Sequence, residues 1–223
     1  MIVVVGGIKG GSGKTTLATN LTVLRAQAGS KVLLVDADEQ RSAADWAEQR
    51  EGMGVDAEWT TIQLAGKTIY SELLKMGADY DEIIIDGGGR DTTSLRSALS
   101  VADIFLIPFK PRSFDVWTIR HVQKIINEMK PGNPQLVSLA VINQADSRGT
   151  DNKDSTEILK DCEELICLPI SIGHRKAFAN AAADGLGVVE LEKEDKKASQ
   201  EIRELDDYIY VKCFVDGLCV RKT

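Results

Sequence analysis

A glycine-rich run near the N-terminus holds the residues whose types and spacing indicate chemistry most clearly. It reads Ile8-Lys-Gly-Gly-Ser-Gly-Lys-Thr-Thr16, after the apolar run Ile2–Val5 and ahead of a helical pattern. Glycines let the backbone curl so that its N–H groups point at phosphate oxygens, and the N-terminus of a following helix adds partial positive charge. The run therefore predicts a phosphate loop. Its candidate nucleotide contacts are Lys9, Gly10, Gly11, Ser12, Gly13, Lys14, Thr15 and Thr16.

Two lysines and a threonine of this loop have separate predicted roles. Lys14 can reach the β- and γ-phosphates of a nucleotide, and the Thr15 hydroxyl can ligate Mg²⁺. Ile8 stands where the usual phosphate-loop pattern has its first glycine. Lys9 lies too early to duplicate the role of Lys14 within one subunit. We therefore expect Lys9 to reach across a dimer interface to the phosphates of the partner subunit.

Three aspartates follow apolar runs that we interpret as strands. Asp36 and Asp38 come after residues 32–35, and Asp86 follows residues 83–85. Ligands of open α/β sheets bind beyond the carboxyl ends of the strands, so these carboxylates are expected to face the phosphate loop. We expect Asp86 to hold a magnesium-bound water. A helix cap or a turn former is the alternative interpretation of any one of the three.

Apolar runs alternate with helical patterns along most of the chain, which indicates a parallel sheet covered on both faces. We predict an α/β fold of the P-loop NTPase type, with a mostly parallel central sheet flanked by helices on both faces. One domain is expected over residues 1–223. The predicted strands are residues 2–5, 32–35, 59–64, 83–85, 104–107 and 136–142. The predicted helices are residues 14–28, 68–76, 114–129, 155–165, 175–183 and 192–207, with a capping box at residues 42–45.

The C-terminal part, residues 190–223, is predicted to form a helix and a tail. The helix at residues 192–207 is charged and is expected to have few core residues. Val215-Asp-Gly-Leu218 is either a hairpin turn between short apolar runs or part of a frayed end.

Composition excludes several classes of protein. The 223 residues are 43% hydrophobic and carry a formal net charge of -7, so a dedicated basic nucleic-acid surface is absent and DNA binding would need a local patch. The four cysteines, at positions 162, 167, 213 and 219, have no CxxC spacing, and with two histidines they do not predict a zinc site. No apolar run approaches the roughly 18 residues that span a bilayer, so a cytoplasmic location is expected.

The motifs together resemble the ParA/MinD family of deviant Walker ATPases. Lys9 to Thr16 resembles the deviant Walker A box, Asp36-Ala-Asp-Glu-Gln40 the second acidic box, and Ile83-Ile-Ile-Asp86 the Walker B strand. Less specific likenesses follow downstream, and the resemblance covers roughly residues 1–190. These are a Pro-rich segment at residues 108–115, the strand end Val141-Ile-Asn143, and a late helix at residues 175–185.

This resemblance implies an ATPase with ATP and Mg²⁺ as cofactors. By the resemblance, Lys9, Lys14 and Asp38 are the catalytic residues, with Lys9 donated across an ATP-bound homodimer and Asp38 orienting the attacking water. Asn143 is implied to contact adenine. The magnesium site is implied to consist of Thr15, Asp36 and Asp86.

Two departures from the family pattern concern the site. Glu39 replaces the usual proline of the second acidic box, which we expect to have a mild effect. Asp86-Gly-Gly-Gly-Arg90 replaces the common Asp-Thr-Pro-Pro, so we expect a more flexible loop and leave the role of Arg90 open. No N-terminal helix-turn-helix pattern is recognised in the sequence, and we therefore expect the chain to resemble the small plasmid-partition members.

Three functions remain open from the sequence. The first is a positioning ATPase whose ATP-bound dimer binds non-specific DNA, on the nucleoid, and moves cargo such as a plasmid or a carboxysome with an adaptor protein. Its candidate DNA contacts are Arg175 and Lys176, although a solvated charged face is the alternative. The second is a MinD-like membrane ATPase, which the acidic helix at residues 192–207 disfavours. The third is a metabolic or metal-chaperone ATPase, for which no paired-cysteine motif is found.

Overall fold

A computed structural model describes residues 1–111, 116–146, 151–215 and 217. Within this part of the chain, seven strands form one sheet in which every neighbouring pair is parallel. The strands are β1 (Ile2–Val5), β2 (Val32–Asp36), β3 (Trp59–Gln63), β4 (Glu82–Asp86), β5 (Ile104–Phe109), β6 (Val137–Ala145) and β7 (Ile166–Gly173). Their spatial order is β3-β2-β4-β1-β5-β6-β7.

Helices cover both faces of this sheet. They are α1 (Lys14–Gln27), α2 (Ser42–Gly52), α3 (Thr68–Met76), α4 (Thr93–Leu99), α5 (Val116–Met129), α6 (Asp151–Lys160), α7 (Lys176–Ala183) and α8 (Lys196–Asp207). One apolar core lies between the sheet and α1, α2, α7 and α8, and a second lies between the sheet and α3 to α6. The predicted α/β P-loop architecture is confirmed.

The central strand β1 explains why the sheet is buried on both sides. Val3 and Val5 point into the first core and Val4 into the second, and all three are fully buried. Burial of one such aliphatic side chain contributes roughly 1.5–3 kcal/mol. A strand that contributes to two cores must be apolar at every position, which is the continuous pattern found in the sequence.

The C-terminal helix packs more extensively than its composition predicts. It begins at Lys196, where Asp195 caps it by accepting the backbone N–H groups of Lys197 and Ala198. The expectation of few core residues was wrong, because α8 packs against α1 and β7, and one stripe of α8, of the π-helical turn Tyr208–Lys212 and of the residue after it is buried in the first core. The stripe consists of Ala198, Ile202, Leu205, Ile209 and Cys213.

Two elements were absent from the sequence interpretation, β7 and α4. Strand β7 includes Pro169, which lacks the N–H that an interior strand needs, but β7 lies at the sheet edge and its pairing with β6 is interrupted by register shifts. The helix predicted over residues 155–165 lies at residues 151–160 instead, because the chain turns after Lys160 and buries Cys162 and Leu165 on its way to β7. Most of the turn considered at residues 215–218, and residues 112–115 of the Pro-rich segment, lie outside the described residues.

Candidate nucleotide-binding site

The carboxyl ends of the central strands bring the predicted site residues together. Strand β1 runs directly into the phosphate loop, and its last residue, Val5, is the Cα partner of Asp86. Asp86 in turn is the Cα partner of Asp36 at the end of β2. The parallel register therefore places both carboxylates at the edge where the phosphate loop begins, as the sequence predicted.

The phosphate loop depends on glycine and on two amide side chains from the end of β6. Gly11 and Gly13 have φ angles of 72° and 86°, which disfavour residues with a Cβ. The Asn143 side-chain amide donates to the carbonyl of Ser12 at 2.7 Å, and that of Gln144 donates to the carbonyl of Gly11 at 2.9 Å. Gln144 was not recognised from the sequence, since nothing in the pattern distinguishes it from an ordinary strand-end residue.

Gly13→Ala is expected to destabilise the ligand-free protein by about 1–3 kcal/mol. A Cβ at Gly13 would lie 2.2 Å from Nδ2 of Asn143, and the φ angle is already unfavourable. Urea unfolding without nucleotide measures the change. The matched control is Gly10→Ala, whose Cβ would meet no atom within 4 Å and which should shift stability by less than about 0.5 kcal/mol. Equal effects of the two variants would contradict the packing described for Gly13.

Lys14 is held inside the loop. Its side chain is 6% exposed and its Nζ donates to the carbonyl of Lys9 at 3.0 Å. Burial lowers the pKa of Lys14, and the nearby carboxylates of Asp86 and Asp38 partly oppose this shift. A desolvated ammonium group is strongly attracted to an incoming phosphate, because the phosphate replaces interactions that burial removed.

Thr15 and Asp86 form a pair with the chemistry of a magnesium site. The Thr15 hydroxyl donates to Oδ2 of Asp86 at 2.7 Å, while Oδ1 is buried and has no hydrogen-bond partner. Among the described residues, no three His, Cys, Asp or Glu side chains gather as a metal cage. Mg²⁺ is typically held by one or two carboxylates together with nucleotide phosphates and waters, so this sparse oxygen set fits it.

The pKa of Asp86 is raised to about 7, chiefly because burial disfavours the charged carboxylate. The folded, ligand-free protein therefore retains a proton that the unfolded chain releases above about pH 4. The binding of this proton to Asp86 stabilises the folded state at low pH, and this contribution to the unfolding free energy is lost as the pH rises through about 7.

We expect Asp86→Asn to reduce this pH dependence. Between pH 4.5 and 7 the wild type should lose up to about 1.4 kcal/mol of unfolding free energy per pH unit relative to the variant. Chemical unfolding in EDTA without nucleotide measures both proteins. Desolvation also raises the pKa values of Asp36, Glu82 and Asp206, so the difference between wild type and variant is the quantity that tests Asp86. Parallel pH profiles would contradict the prediction.

Asp36 contacts backbone rather than side chains. Its Oδ1 accepts the N–H of Asp38 at 3.0 Å, and its Oδ2 accepts the N–H of Ala44 at 2.8 Å. The capping box predicted at residues 42–45 was wrong, since Arg41 occupies the N-cap position and the carboxylate of Asp36 satisfies the start of α2 instead. These bonds fix the loop from which Asp38 projects. The role of Asp36 at magnesium stays a prediction.

A cavity of about 730 Å³ opens beside the phosphate loop, where Lys14, Thr15 and Asp38 face it. It is lined by the phosphate loop and the start of α1, the β2–α2 loop with Asp38, the β4–α4 loop with Arg90, and Gln144. A larger open groove of about 1050 Å³ lies between the end of α2 and the start of α8, but it contains none of the predicted phosphate or magnesium ligands. The smaller cavity is therefore the candidate nucleotide site.

Glycines allow the β4–α4 loop to pack closely against the phosphate loop. A Cβ at Gly89 would lie 3.0 Å from the backbone N of Gly10, and one at Gly88 would lie 3.4 Å from the carboxylate of Asp38. Neither glycine has a positive φ. Gly89 allows the close approach of two backbones, and Gly88 lies against the side chain of Asp38. The sequence interpretation expected only flexibility and did not anticipate this packing.

The two residues predicted to contact DNA have different surroundings. Arg175 donates to both carboxylate oxygens of Glu201, at 3.0 and 2.5 Å, and this pairing raises the pKa of Arg175. The same Glu201 accepts the N–H of Gly173, so the pair ties the end of β7 to α8. Lys176 begins α7 and is exposed.

The fold and the site define a P-loop nucleotide-binding ATPase. The family model described as the CobQ/CobB/MinD/ParA nucleotide binding domain matches residues 3–188. The chain belongs to this family, and the ParA/MinD-type ATPase predicted from its motifs is confirmed.

Individual relatives match nearly the whole chain. The maintenance of carboxysome distribution protein A of Halothiobacillus neapolitanus is 26% identical over 205 residues, covering 90% of this chain and 92% of the relative. The structure of a Cyanothece McdA variant with ATP has a TM-score of 0.75 at 17% identity, covering 93% of this chain and 95% of that one. Cobyrinic acid a,c-diamide synthase from Mycobacterium smegmatis, with an ATP analogue and magnesium, has a TM-score of 0.75 at 20% identity, covering 97% and 96%. These structural matches show the fold alone.

Proposed function

We propose that this protein is a dimerisation switch driven by Mg-ATP, which binds non-specific DNA as an ATP-bound homodimer and positions cargo through an adaptor protein. The observation that carries the proposal is the placement of Lys9 in a phosphate loop that already contains a buried Lys14 bonded to the Lys9 carbonyl. One lysine per subunit suffices for the phosphates of that subunit. We propose that the second, Lys9, reaches the nucleotide of the partner subunit.

Hydrolysis in this proposal takes place at the cavity that Lys14, Thr15 and Asp38 line. A water attacks the γ-phosphorus of ATP, the bond from that phosphorus to the bridging oxygen breaks, and ADP and phosphate leave. Bound Mg²⁺ would supply charge neutralisation at the phosphates, with Thr15 and Asp86 holding it. Asp38 orients the water, and Lys14 stabilises charge on the phosphate oxygens. Asn143 is proposed to contact adenine in addition to its bond with Ser12.

The β2–α2 loop is built to hold Asp38 in place. The backbone N–H of Asp38 donates to Oδ1 of Asp36, and Oδ1 of Asp38 accepts the N–H of Gln40 at 3.1 Å. Asp38 is partly exposed at the cavity, whereas Asp36 is buried. A fixed backbone with a side chain open to the cavity suits a residue that orients a water molecule.

The proposed DNA surface is local, because the chain carries a net charge of -7. Lys176 is its first candidate, since it is exposed. Arg175 is already neutralised by Glu201, so we propose that its contribution is weaker than that of Lys176. Contacts of this kind bind phosphates without reading sequence and weaken steeply with salt.

Retention on non-specific duplex DNA tests the proposal. Mg-ATP is expected to give retention that is lost at high salt, while Mg-ADP gives none. Lys176→Ala should weaken retention, and Lys75→Ala, an exposed lysine paired with Glu72 on α3, is the matched control. Absence of retention with either nucleotide would contradict the DNA-binding part of the proposal.

One alternative function, the MinD-like membrane ATPase, is disfavoured by the packing of α8. Among the described residues no helix is long and apolar enough to cross a membrane. The apolar stripe of α8, which a MinD-like membrane contact at this helix would use, is already buried against α1. The fold shared with a cobyrinic acid synthase does not separate metabolic from positioning members. Failure of DNA retention would favour a membrane or metabolic member of the same fold.

A further inference from the structure

We propose that Arg90 is a catalytic residue that contacts the terminal phosphate of the nucleotide in the cavity it lines. The guanidinium group would bind more strongly as charge develops on the transferring phosphoryl group than it binds in the ground state. The proposal rests on the proposed function in one respect, since it requires that ATP occupies this cavity.

The backbone before Arg90 is pressed against the phosphate loop. A Cβ at Gly89 would lie 3.0 Å from the backbone N of Gly10 and 3.1 Å from its Cα. It would also lie 3.2 Å from the carbonyl carbon of Lys9. Any residue larger than glycine at position 89 would push the two loops apart. The close approach brings the following residue, Arg90, to the mouth of the cavity that Lys14 and Asp38 also line.

Arg90 is also available for a ligand. It is exposed, and it makes no hydrogen bond or ion pair within the part of the chain that the structure describes. The neighbouring Arg96 contrasts with it, because its guanidinium is held by Asp91 and Glu128 at 2.6–2.8 Å. Arg96 and Asp91 thereby fix the start of α4, so that the loop carrying Arg90 is anchored on both sides.

The chemistry of phosphoryl transfer favours an arginine at this point. As the water oxygen bonds to the γ-phosphorus and the bridging bond breaks, negative charge is spread over the oxygens of the transferring phosphoryl group and the leaving oxygen. A planar guanidinium donates two parallel hydrogen bonds to such oxygens, which a lysine ammonium does not reproduce. Arg90 neither gains nor loses a proton in the step, and the proton of the water passes to solvent or phosphate.

Single-turnover hydrolysis of ATP by the full chain tests the proposal. Arg90→Ala is expected to lower the rate constant about 10²-fold, the effect of removing one preorganised donor, while ATP affinity changes less than about threefold. Arg90→Lys should remain slow, and added guanidinium ion should restore part of the rate of Arg90→Ala. Arg203→Ala, at an exposed position on α8 away from the cavity, is the control and should hydrolyse ATP as the wild type does.

The outcomes separate this proposal from the proposed function. A rate for Arg90→Ala within threefold of wild type would overturn the role of Arg90 and leave the proposed function standing. Loss of ATP affinity in parallel with the rate, or no response to guanidinium ion, would also overturn it, because Arg90 would then act in binding or folding. If the wild type itself failed to bind and hydrolyse ATP, the proposed function would fall and the Arg90 proposal with it.

Discussion

Lys14→Ala is expected to weaken ATP binding at least about 100-fold, which corresponds to about 2.7 kcal/mol. Lys14 is the buried cation of the phosphate loop, and its hydrogen bond to the Lys9 carbonyl aims its Nζ along the loop. Removal leaves the phosphates without their charge-assisted donor, an interaction stronger than a neutral hydrogen bond. Isothermal titration with Mg-ATP at fixed salt measures the loss.

Two comparisons make this result specific. Burial already disfavours the charged form of Lys14, as its lowered pKa indicates, so the variant should fold and unfold in urea much as the wild type does. Lys9→Ala should keep its affinity for ATP, because its proposed target is the nucleotide of the partner subunit. Unchanged affinity in Lys14→Ala would remove this residue from the site, and equal losses in both variants would contradict their separate roles.

Asp38→Ala is expected to bind ATP normally and to hydrolyse it at least about 100-fold more slowly. The carboxylate lies at the cavity beside Gly88, and its proposed role is to orient water in the transition state rather than to hold the ground-state nucleotide. Loss of an interaction made only in the transition state lowers kcat without raising KM. Phosphate release under saturating ATP measures the rate.

Glu39→Ala is the matched control for this prediction. It removes the same charge from the adjacent, exposed position of the same loop. If Glu39→Ala slowed hydrolysis as much as Asp38→Ala, the net negative charge of the loop would explain the effect, and the specific role of the Asp38 carboxylate would be contradicted. A weaker affinity for ATP in Asp38→Ala would place Asp38 in nucleotide binding instead.

Sequence patterns predicted the elements that are apolar throughout or strongly periodic. Strands β1, β2, β4 and β5 were recognised because each is buried on both sides and must be apolar at successive positions. Strand β7 escaped because an edge strand tolerates polar residues and Pro169. The number of core residues in the C-terminal helix was underestimated, because Ala198, Ile202 and Leu205 suffice to bury one side of α8 while the rest of its surface stays charged.

The site residues that lie next to their strands in sequence could be predicted. The contacts between residues far apart in sequence could not, because they depend on how the elements pack. The phosphate loop and the strand-end aspartates are adjacent in sequence to the elements that place them. The bonds of Asn143 and Gln144 to the loop join residues more than 130 positions apart, and no pattern within one sequence connects them. The function of the three glycines after Asp86 was misjudged for the same reason, since their tight neighbours come from the phosphate loop and from Asp38.

The molar mass of Asp38→Ala in solution tests the central proposal, an ATP-controlled dimer, most directly. Light scattering with Mg-ATP should give twice the 24.3 kDa of one chain, and with Mg-ADP it should give the single-chain value. Lys9→Ala combined with Asp38→Ala should stay monomeric with ATP, because the cross-subunit lysine is gone. A mass of one chain for Asp38→Ala saturated with Mg-ATP would contradict the proposal that ATP joins two subunits through Lys9.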